Sequence, residues 1–498
     1  MATIAVIGSG FSGLSAAAYL AKQGHTVNVY EKNATPGGRA RTFTANGYLF
    51  DMGPSWYWMP DVFEKFFADF GYEVSELYRL EKLDPAFEMI FGGKDRINVP
   101  ADFNALCEMF NGIEPGSDVQ LKKFMEEAAY KYKAGVENLV YKPGLSLFEF
   151  AEADIIMNMF RLQVFSSFSK HVNKYFKDAR LRALMEFPVL FLGAMPSKTP
   201  ALYSLMNYAG LKLGTWYPQG GFGKVISAML HVCIEKRVNF FYNSPVEEII
   251  VTDGIATGVR INGNVITCDA VVASADYHHV EDKLLAPALR NYSNEYWNKK
   301  TFAPSCLIFY IGLTKKIEKL RHHTLFFEES LLQHSIEIYE APQWPTKPLF
   351  YVCCPSKTDA TVAPKGHENL FLLMPIAPGL TDSEAEREKY FSMMLRRIEE
   401  ATGEDNLSAF IDYKKSYCVS DFIEDYNSYK GNAYGLANTL LQTAVFKPKI
   451  RNKKVKNLFY TGQLTVPGPG VPPSIISGKI ASQQSEKYLN SKRYEATI

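Results

Sequence analysis

A glycine-rich turn near the start of the chain constrains the fold more than any other feature of the sequence. The apolar run 3–7 leads directly into residues 8–13 (GSGFSG), and a stretch of helix-forming composition continues to Gln23. A second apolar run, 27–30, then ends at Glu31. A strand, a G-x-G-x-x-G turn, a helix and a strand that ends in an acidic residue predict a Rossmann-type unit that binds a dinucleotide.

Each residue type in this turn has a physical role. Gly8 permits the tight turn, Gly10 lets a pyrophosphate approach the backbone, and Gly13 lets the helix pack on the strand. The amides at the helix N-terminus would face the phosphates, and Glu31 would bind a ribose hydroxyl. The unit predicts the cofactor-binding residues Gly8, Ser9, Gly10, Phe11, Ser12, Gly13, Glu31 and Lys32.

Further segments of small residues recur along the chain. Residues 37–39 (GGR) and 51–55 (DMGPS) follow the second strand, and residues 218–224 (PQGGFGK) open a helix in the middle of the chain. Residues 273–276 (ASAD) end a strand, and residues 462–474 (GQLTVPGPGVPPS) connect a strand to the last helix. These segments contain glycines, a cation and a second helix N-terminus. Such features let the backbone and a positive charge come close to other parts of a cofactor.

Together these segments resemble the flavoprotein group that includes amine oxidases, protoporphyrinogen oxidase and phytoene desaturases. The resemblance implies that the dinucleotide is FAD and that several separated segments of the chain bind it. It extends the predicted FAD site to Gly38, Arg39, Pro54, Ser55, Val246, Asp276, Gly462, Leu464, Val471 and Pro472.

The segments between those motifs narrow the resemblance. Residues 177–182, 187–194, 200–203 and 214–221 resemble the central part of the bacterial-type phytoene desaturase family, so the match extends from residue 1 to about 485. It implies an FAD-dependent oxidoreductase of carotenoid biosynthesis that introduces a C=C bond into a long acyclic carotenoid. One hydrogen would leave as a hydride to flavin and the other as a proton. The sequence identifies no base, so the catalytic side chains stay unassigned.

The C-terminal loop resembles one branch of that family. Phytoene desaturases usually have an Ala-Gly pair and a histidine where this chain has Gln463, Leu464 and Val466. The loop is similar to that of the 1-hydroxycarotenoid 3,4-desaturases, which implies a substrate with a hydroxylated end. The alternatives are a phytoene desaturase, a redox-neutral carotenoid isomerase, an amine-type oxidase, or a carotenoid-binding protein in which flavin is structural.

The order of the segments predicts an α/β protein with an α+β insert. Residues 61–134 are expected to be mainly helical, and residues 303–313 and 349–354 to be buried strands. A discontinuous Rossmann-type FAD-binding domain would be interrupted by a substrate-binding and membrane-associating domain. The first would comprise residues 1–100, 216–290 and 445–498, and the second residues 101–215 and 291–444.

Composition argues against several other classes of protein. The chain has 54 basic and 53 acidic residues, which does not suit binding to nucleic acid. Its 7 cysteines form no C-x-x-C motif. The adjacent histidines at 278–279 and 322–323 should point to opposite faces of a strand. We therefore expect reduced thiols and no metal site.

The apolar stretch 145–168 bears on where the protein works. It is either a surface that contacts a membrane, where carotenoids reside, or a core helix. Neither a signal peptide nor an apolar run of membrane-spanning length is apparent. We therefore expect a cytoplasmic, peripherally membrane-associated enzyme that uses oxygen or a quinone as electron acceptor. The aromatic content of 14% fits either a long apolar cavity or a large core.

Overall fold

A computed structural model describes residues 1–146, 149 and 162–497 of the chain. Its strands are β1 (Thr3–Ile7), β2 (Thr26–Tyr30), β3 (Thr42–Ala45), β4 (Tyr48–Asp51), β5 (Leu80–Lys82), β6 (Phe87–Gly92), β7 (Asp95–Val99), β8 (Trp216–Pro218), β9 (Asn239–Phe241), β10 (Val246–Thr252), β11 (Ile255–Ile261), β12 (Asn264–Thr267), β13 (Ala270–Ala273), β14 (Ser305–Leu313), β15 (His323–Phe326), β16 (Phe350–Cys353), β17 (Glu368–Ile376), β18 (Ile411–Tyr417) and β19 (Leu458–Tyr460). Its α-helices are α1 (Phe11–Lys22), α2 (Pro60–Ala68), α3 (Val74–Leu77), α4 (Phe103–Ile113), α5 (Ser117–Tyr132), α6 (Phe168–Tyr175), α7 (Ala179–Glu186), α8 (Leu205–Asn207), α9 (Phe222–Glu235), α10 (Tyr277–Lys283), α11 (Asn294–Asn298), α12 (Leu331–Tyr339), α13 (Glu384–Thr402), α14 (Val419–Tyr426) and α15 (Val471–Thr497).

The first sheet is parallel, with the strand order β19-β13-β1-β2-β9. Val6 of the central strand β1 aligns with Val29 of β2 and Val272 of β13. These strands are short apolar runs because parallel strands are covered by other elements on both faces. The predicted α/β class with a parallel nucleotide-binding sheet is confirmed.

The last helix, α15, packs against the first helix, α1. Gly478 lies at this contact, and a Cβ atom there would be 2.4 Å from the Ser12 carbonyl oxygen and 2.6 Å from Ser15 Cβ. The Ser15 hydroxyl donates a hydrogen bond of 2.7 Å to the Ile475 carbonyl oxygen. The two ends of the chain therefore form one side of the nucleotide-binding unit together.

The second large sheet has the order β18-β14-β17-β16-β15-β6-β7. Strand β14 is fully buried and presents alternate residues to opposite faces. Leu307 and Phe309 join the core under α13, where Phe309 packs on Phe391 with ring centroids 5.0 Å apart. Cys306 and Ile308 face the other way, into a large cavity. The predicted buried strands are confirmed, as residues 305–313 and 350–353.

The prediction of helix throughout residues 61–134 is wrong for residues 80–99. Strands β5, β6 and β7 lie there, and β6 and β7 form a hairpin around Gly92 and Gly93. The hairpin joins the second sheet because β6 pairs with β15, with Met89 opposite Leu325. Residues 87–99 therefore belong to the second sheet, and the division of the chain into two domains stays a prediction.

Most of the stretch predicted to face a membrane lies outside the described residues. Residues 147, 148 and 150–161 belong to that undescribed part. Within the described part, we find no helix that combines the length and the apolar character needed to cross a membrane.

We predict that Gly478→Ala destabilises the protein because the new methyl group overlaps the Ser12 carbonyl oxygen. Overpacking of this kind costs about 1–3 kcal/mol. Gly112→Ala in α4 is the matched control, since a Cβ atom there meets no atom within 4 Å. It should raise the free energy of unfolding by up to about 1 kcal/mol, because Ala favours a helix over Gly. Thermal unfolding measures the stability of both variants. Equal shifts of their unfolding temperatures would contradict the close contact between Gly478 and the Ser12 carbonyl oxygen.

Candidate active site

One large cavity extends from the carboxyl ends of the parallel strands to the seven-stranded sheet. Its empty volume is about 2920 Å³ including its open mouth. Beside the parallel sheet its wall consists of glycine-rich loops and polar side chains, and beside the second sheet it consists mainly of apolar side chains. The cavity therefore has a polar half and an apolar half that are continuous with each other.

The structure brings the predicted FAD-site residues together around the polar half of this cavity, with the exception of Gly13. The residues on the cavity wall are Gly8, Ser9, Gly10, Phe11, Ser12, Glu31, Lys32, Gly38, Arg39, Pro54, Ser55, Val246, Asp276, Gly462, Leu464, Val471 and Pro472.

The glycine-rich turn has the geometry that an anion-binding helix N-terminus requires. Gly8 has a φ of +96°, which favours glycine, and its N–H donates to the Tyr30 carbonyl oxygen at 2.8 Å. Helix α1 starts after Gly10, and no side chain of the described residues caps it. Gly13 lies behind the wall, where a Cβ atom would be only 2.1 Å from the Gly8 carbonyl oxygen. Its role is to let α1 pack against the turn.

Glu31 connects the turn to the next loop. One carboxylate oxygen accepts from the Ser9 N–H at 2.9 Å and from the Ser9 hydroxyl at 2.7 Å. The other accepts from the Asn33 N–H at 2.9 Å and from its side-chain amide at 3.1 Å. The neighbouring Lys32 extends to the Asn427 side-chain oxygen at 3.4 Å. Glu31 therefore braces the turn as well as lying where a ribose hydroxyl is expected.

Arg39 is fixed from several sides at the junction with the C-terminal loop. Its Nη2 atom donates to the Ser428 hydroxyl at 3.2 Å and to the Asn432 carbonyl oxygen at 3.4 Å. In the amide orientation that satisfies its neighbours, Gln463 accepts from Arg39 Nη2 at 3.0 Å and donates to the Ala433 carbonyl oxygen at 3.1 Å. The buried Arg39 Nε has no hydrogen-bond partner among the described residues.

Asp276 is a buried carboxyl on the same wall. It caps α10 by accepting from the His279 N–H at 3.2 Å, and it also accepts from the Tyr429 N–H at 3.3 Å. Burial raises the pKa of Asp276 to about 6, although these donors and the nearby Arg39 charge act to lower it.

A second helix N-terminus opens on the same cavity. Helix α15 starts at Val471, and residues 469–474 lie on the wall. Gly462 precedes this loop with a φ of +110°, and its N–H donates to the Ser477 hydroxyl at 3.0 Å. Two positive helix ends, uncovered backbone at Gly10 and the unpaired Arg39 Nε fit a cofactor with phosphates and a ring system that takes on negative charge when it is reduced. The residues present therefore fit FAD.

The loop 51–55 has two functions. Pro54 and Ser55 lie on the cavity wall. Asp51 instead holds the middle segment, because its carboxylate accepts from the Phe222 N–H at 3.0 Å and the Gly223 N–H at 3.3 Å, at the start of α9. Burial raises the pKa of Asp51 to about 7.

Sequence reasoning offered a long apolar cavity as one interpretation of the aromatic content but did not identify the residues that line it. One face of helix α12 forms part of it, through Leu331, His334, Ser335, Ile338 and Tyr339. Their spacing of three and four residues predicts a buried helix face. The same spacing cannot tell whether that face meets other side chains or a cavity.

The prediction that His322 and His323 point apart is wrong. Their rings lie 4.5 Å apart, because His322 precedes β15 and the alternation of a strand does not apply to it. With Cys353, they offer potential metal-ligand atoms within 4.8 Å of one another. His322 Nδ1 lies 2.7 Å from the Thr358 hydroxyl, and His323 Nδ1 lies 2.6 Å from the Tyr351 hydroxyl. That the chain binds no metal stays a prediction.

Comparison with known proteins agrees with the fold and with a flavin cofactor. Residues 11–484 match the family described as flavin containing amine oxidoreductase. The chain is 40% identical over 477 residues to a carotenoid 3,4-desaturase of Haloarcula japonica, covering 96% of each protein. It is 31% identical over 486 residues to a zeta-carotene-forming phytoene desaturase of Myxococcus xanthus, covering 97% of this chain and 93% of the relative. An oxidoreductase structure from Methanosarcina mazei has the same fold, with a TM-score of 0.61 at 16% identity and coverage of 97% and 100%.

We predict that Glu31→Ala weakens FAD binding about tenfold or more. A hydrogen bond to a charged group contributes about 1.5–3 kcal/mol, and the variant would also lose the brace on Ser9. Titration of apoprotein with FAD, followed by flavin fluorescence, measures the affinity. Glu295→Ala is the control, because Glu295 is 74% exposed and absent from the cavity wall. Equal affinity in the Glu31 variant and the control would contradict the assignment.

Gly10 and Gly13 should respond differently to substitution. A Cβ atom at Gly10 meets only Gly38 Cα, at 3.9 Å, so we expect Gly10→Val to fold but to purify without flavin. Gly13→Ala should instead lower the free energy of unfolding by about 1–3 kcal/mol or more through overlap with the Gly8 carbonyl. Flavin content and thermal unfolding separate the two effects. A flavin-replete Gly10→Val protein would show that the turn is only structural.

Proposed function

The chain belongs to the family of flavin-containing amine oxidoreductases and is an FAD-dependent oxidoreductase. From this premise we propose that it desaturates a long acyclic carotenoid. The single observation that carries this proposal is the apolar half of the cavity, which continues directly from the FAD-site residues. The names of the two desaturase relatives agree with it, and each is similar to this chain over almost its whole length.

The walls of the apolar half suit a hydrocarbon chain. Aromatic and aliphatic side chains from α12, β14, β15, β16 and the segment around Phe187 surround it. Transfer of apolar surface from water to such walls contributes about 25 cal/mol per Å². A carotenoid is apolar along nearly its full length and therefore gains from burial along that length. An amine carries a positive charge, and on the described cavity wall the carboxylates belong to Glu31, Asp276 and Asp425, which lie beside the glycine-rich loops and not in the apolar half.

The chain's own residues orient the reactants and keep water out. When bound, FAD would supply the acceptor for a hydride, which is two electrons and one proton, while the second hydrogen of the substrate leaves as a proton. Arg39 and Gln463 are hydrogen-bonded to each other, so the loop between the two halves of the cavity is held rigidly. Trp56 stacks on His323 with ring centroids 4.1 Å apart and closes the wall beside Ser55. A fixed wall of this kind favours one position of the polyene relative to the cofactor.

We also propose that the substrate carries a hydroxyl group near one end. The polar Gln463 supports this, because it lines the cavity where phytoene desaturases usually have a small residue. A site that binds a substrate hydroxyl discriminates strongly against an analogue that lacks it.

Peripheral membrane contact is a further part of the proposal. Phe165, Leu441 and Phe446 are large apolar side chains that are 65%, 70% and 48% exposed. The segments that carry them are joined, since Ala201 N–H donates to the Ser166 carbonyl at 2.7 Å and the Tyr203 hydroxyl lies 2.9 Å from that of Thr443. Exposed apolar side chains on joined segments suit the surface of a bilayer. Oxygen or a quinone would then reoxidise the flavin.

Anaerobic incubation with an acyclic carotenoid tests the desaturase directly. We expect one equivalent of flavin to bleach for each C=C bond formed, with a longer-wavelength product. The flavin-free Gly10→Val protein is the control and should form no product. A changed carotenoid spectrum with oxidised flavin would favour an isomerase instead. Absence of any product with bound pigment would favour a carotenoid-binding protein.

A further inference from the structure

A short segment that follows the second sheet lies against the FAD-site loops. Strand β18 of that sheet leads into helix α14, which ends at Tyr426. We call residues 422–429, the end of α14 and the turn after it, the strap. The strap residues on the wall of the cavity are Phe422, Asp425, Tyr426 and Asn427. The second sheet therefore contributes to the wall of the cavity through a segment that is not a strand.

The strap is tied to the loop after β2. Lys32 Nζ donates to the Glu424 carbonyl oxygen and to the Asn427 side-chain oxygen, the latter at 3.4 Å. The side-chain amide of Asn33 donates to the Asp425 carbonyl oxygen at 3.3 Å. The last carbonyl groups of a helix lack partners within the helix, so they are free to accept such bonds. The two residues that follow Glu31 thus hold the end of α14.

An ion pair makes the strongest tie between the strap and the FAD-site loops. Arg41 Nη2 lies 2.6 Å from Asp425 Oδ2, and the two side chains are only 13% and 30% exposed. The Tyr417 hydroxyl donates to the same carboxylate oxygen at 2.8 Å. The guanidinium groups of Arg39 and Arg41 lie 5.1 and 5.4 Å from the centre of the Tyr426 ring. Charge and cation–π attraction therefore act together at one point of the strap.

The strap also reaches the loop after β13. The Tyr429 N–H donates to the Asp276 carboxylate at 3.3 Å, and Arg39 Nη2 donates to the Ser428 hydroxyl at 3.2 Å. The loops after β2 and β13 both carry predicted FAD-site residues. One segment attached to the second sheet thus joins two loops of the first sheet, and the polar half of the cavity has walls from both.

We propose that the strap closes the polar half of the cavity over FAD, and that the ion pair between Arg41 and Asp425 controls how often it opens. FAD then enters and leaves while this ion pair is broken. Asp425 is a positioning residue, because it acts through the place of the strap. The inference depends on FAD and not on the substrate, so it can fail while the carotenoid desaturase proposal stands, and the reverse also holds.

The rates of FAD binding and release test the strap. Rapid mixing of apoprotein with FAD measures association through flavin fluorescence, and dilution of the holoprotein measures dissociation. We expect Asp425→Asn to raise both rate constants about tenfold or more, with a smaller change in Kd, because one partner of a largely buried ion pair is lost. A variant that only lost a contact with FAD would show faster dissociation and unchanged association.

Arg41→Gln is the second variant, because Arg41 is not among the described residues on the cavity wall. It should raise both rate constants as Asp425→Asn does. The double variant should match either single variant, since all three break the same ion pair. Glu388→Gln is the matched control. It breaks the more exposed pair with Lys414 of β18, 2.6 Å apart, and should leave both rate constants unchanged.

Three results would overturn the inference. The first is unchanged rate constants in both single variants. The second is faster dissociation without faster association, which would make the pair an ordinary binding contact. The third is an additive effect in the double variant, which would mean that the two residues act separately. Should Asp425→Asn fail to fold, Arg41→Gln is judged by the first two criteria, since it leaves the hydrogen bond between Tyr417 and Asp425 in place.

Discussion

The close packing of helix α1 is the constraint on which the rest of the structure depends. On one side its backbone approaches the turn so closely that Gly13 leaves no room for a Cβ atom beside the Gly8 carbonyl. On the other side Gly478 of α15 does the same against the Ser12 carbonyl. Both glycines remove the atom that would separate the elements. The N-terminus of α1 is thereby fixed beside the N-terminus of α15, and both point their partial positive charge into one cavity.

That arrangement explains why the cofactor-site residues are scattered along the chain. A parallel sheet places the carboxyl ends of its strands at one edge, whatever their order in the sequence. The loops after β1, β2, β13 and β19 therefore meet there, although hundreds of residues separate the first from the last. Polar contacts then join this edge to the rest of the molecule. Asp51 holds the start of α9, and Arg39 joins the loop after β2 to Gln463 in the C-terminal loop.

The second sheet determines what kind of molecule can reach that edge. Because side chains alternate along β14, one face of the strand fills the core under α13 and the other faces the cavity. Aliphatic and aromatic side chains dominate that face, so the cavity changes from polar to apolar along its length. At the junction of the two halves, Trp56 and Tyr351 form part of the wall, and both rings contact His323.

The sequence by itself determined the nucleotide-binding unit, because glycine spacing and apolar periodicity are local consequences of tight turns and of burial on both faces of a sheet. Strand β1, helix α1, Glu31 and the C-terminal loop could all be predicted in this way. The sequence predicts helix where the hairpin of β6 and β7 lies, because its pairing with β15, more than 200 residues away, leaves no local pattern. Only the tertiary structure decided that His322 and His323 lie side by side and that one face of α12 meets a cavity. Periodicity records which side of an element is buried, whereas the partner of that side depends on contacts between residues far apart in the chain.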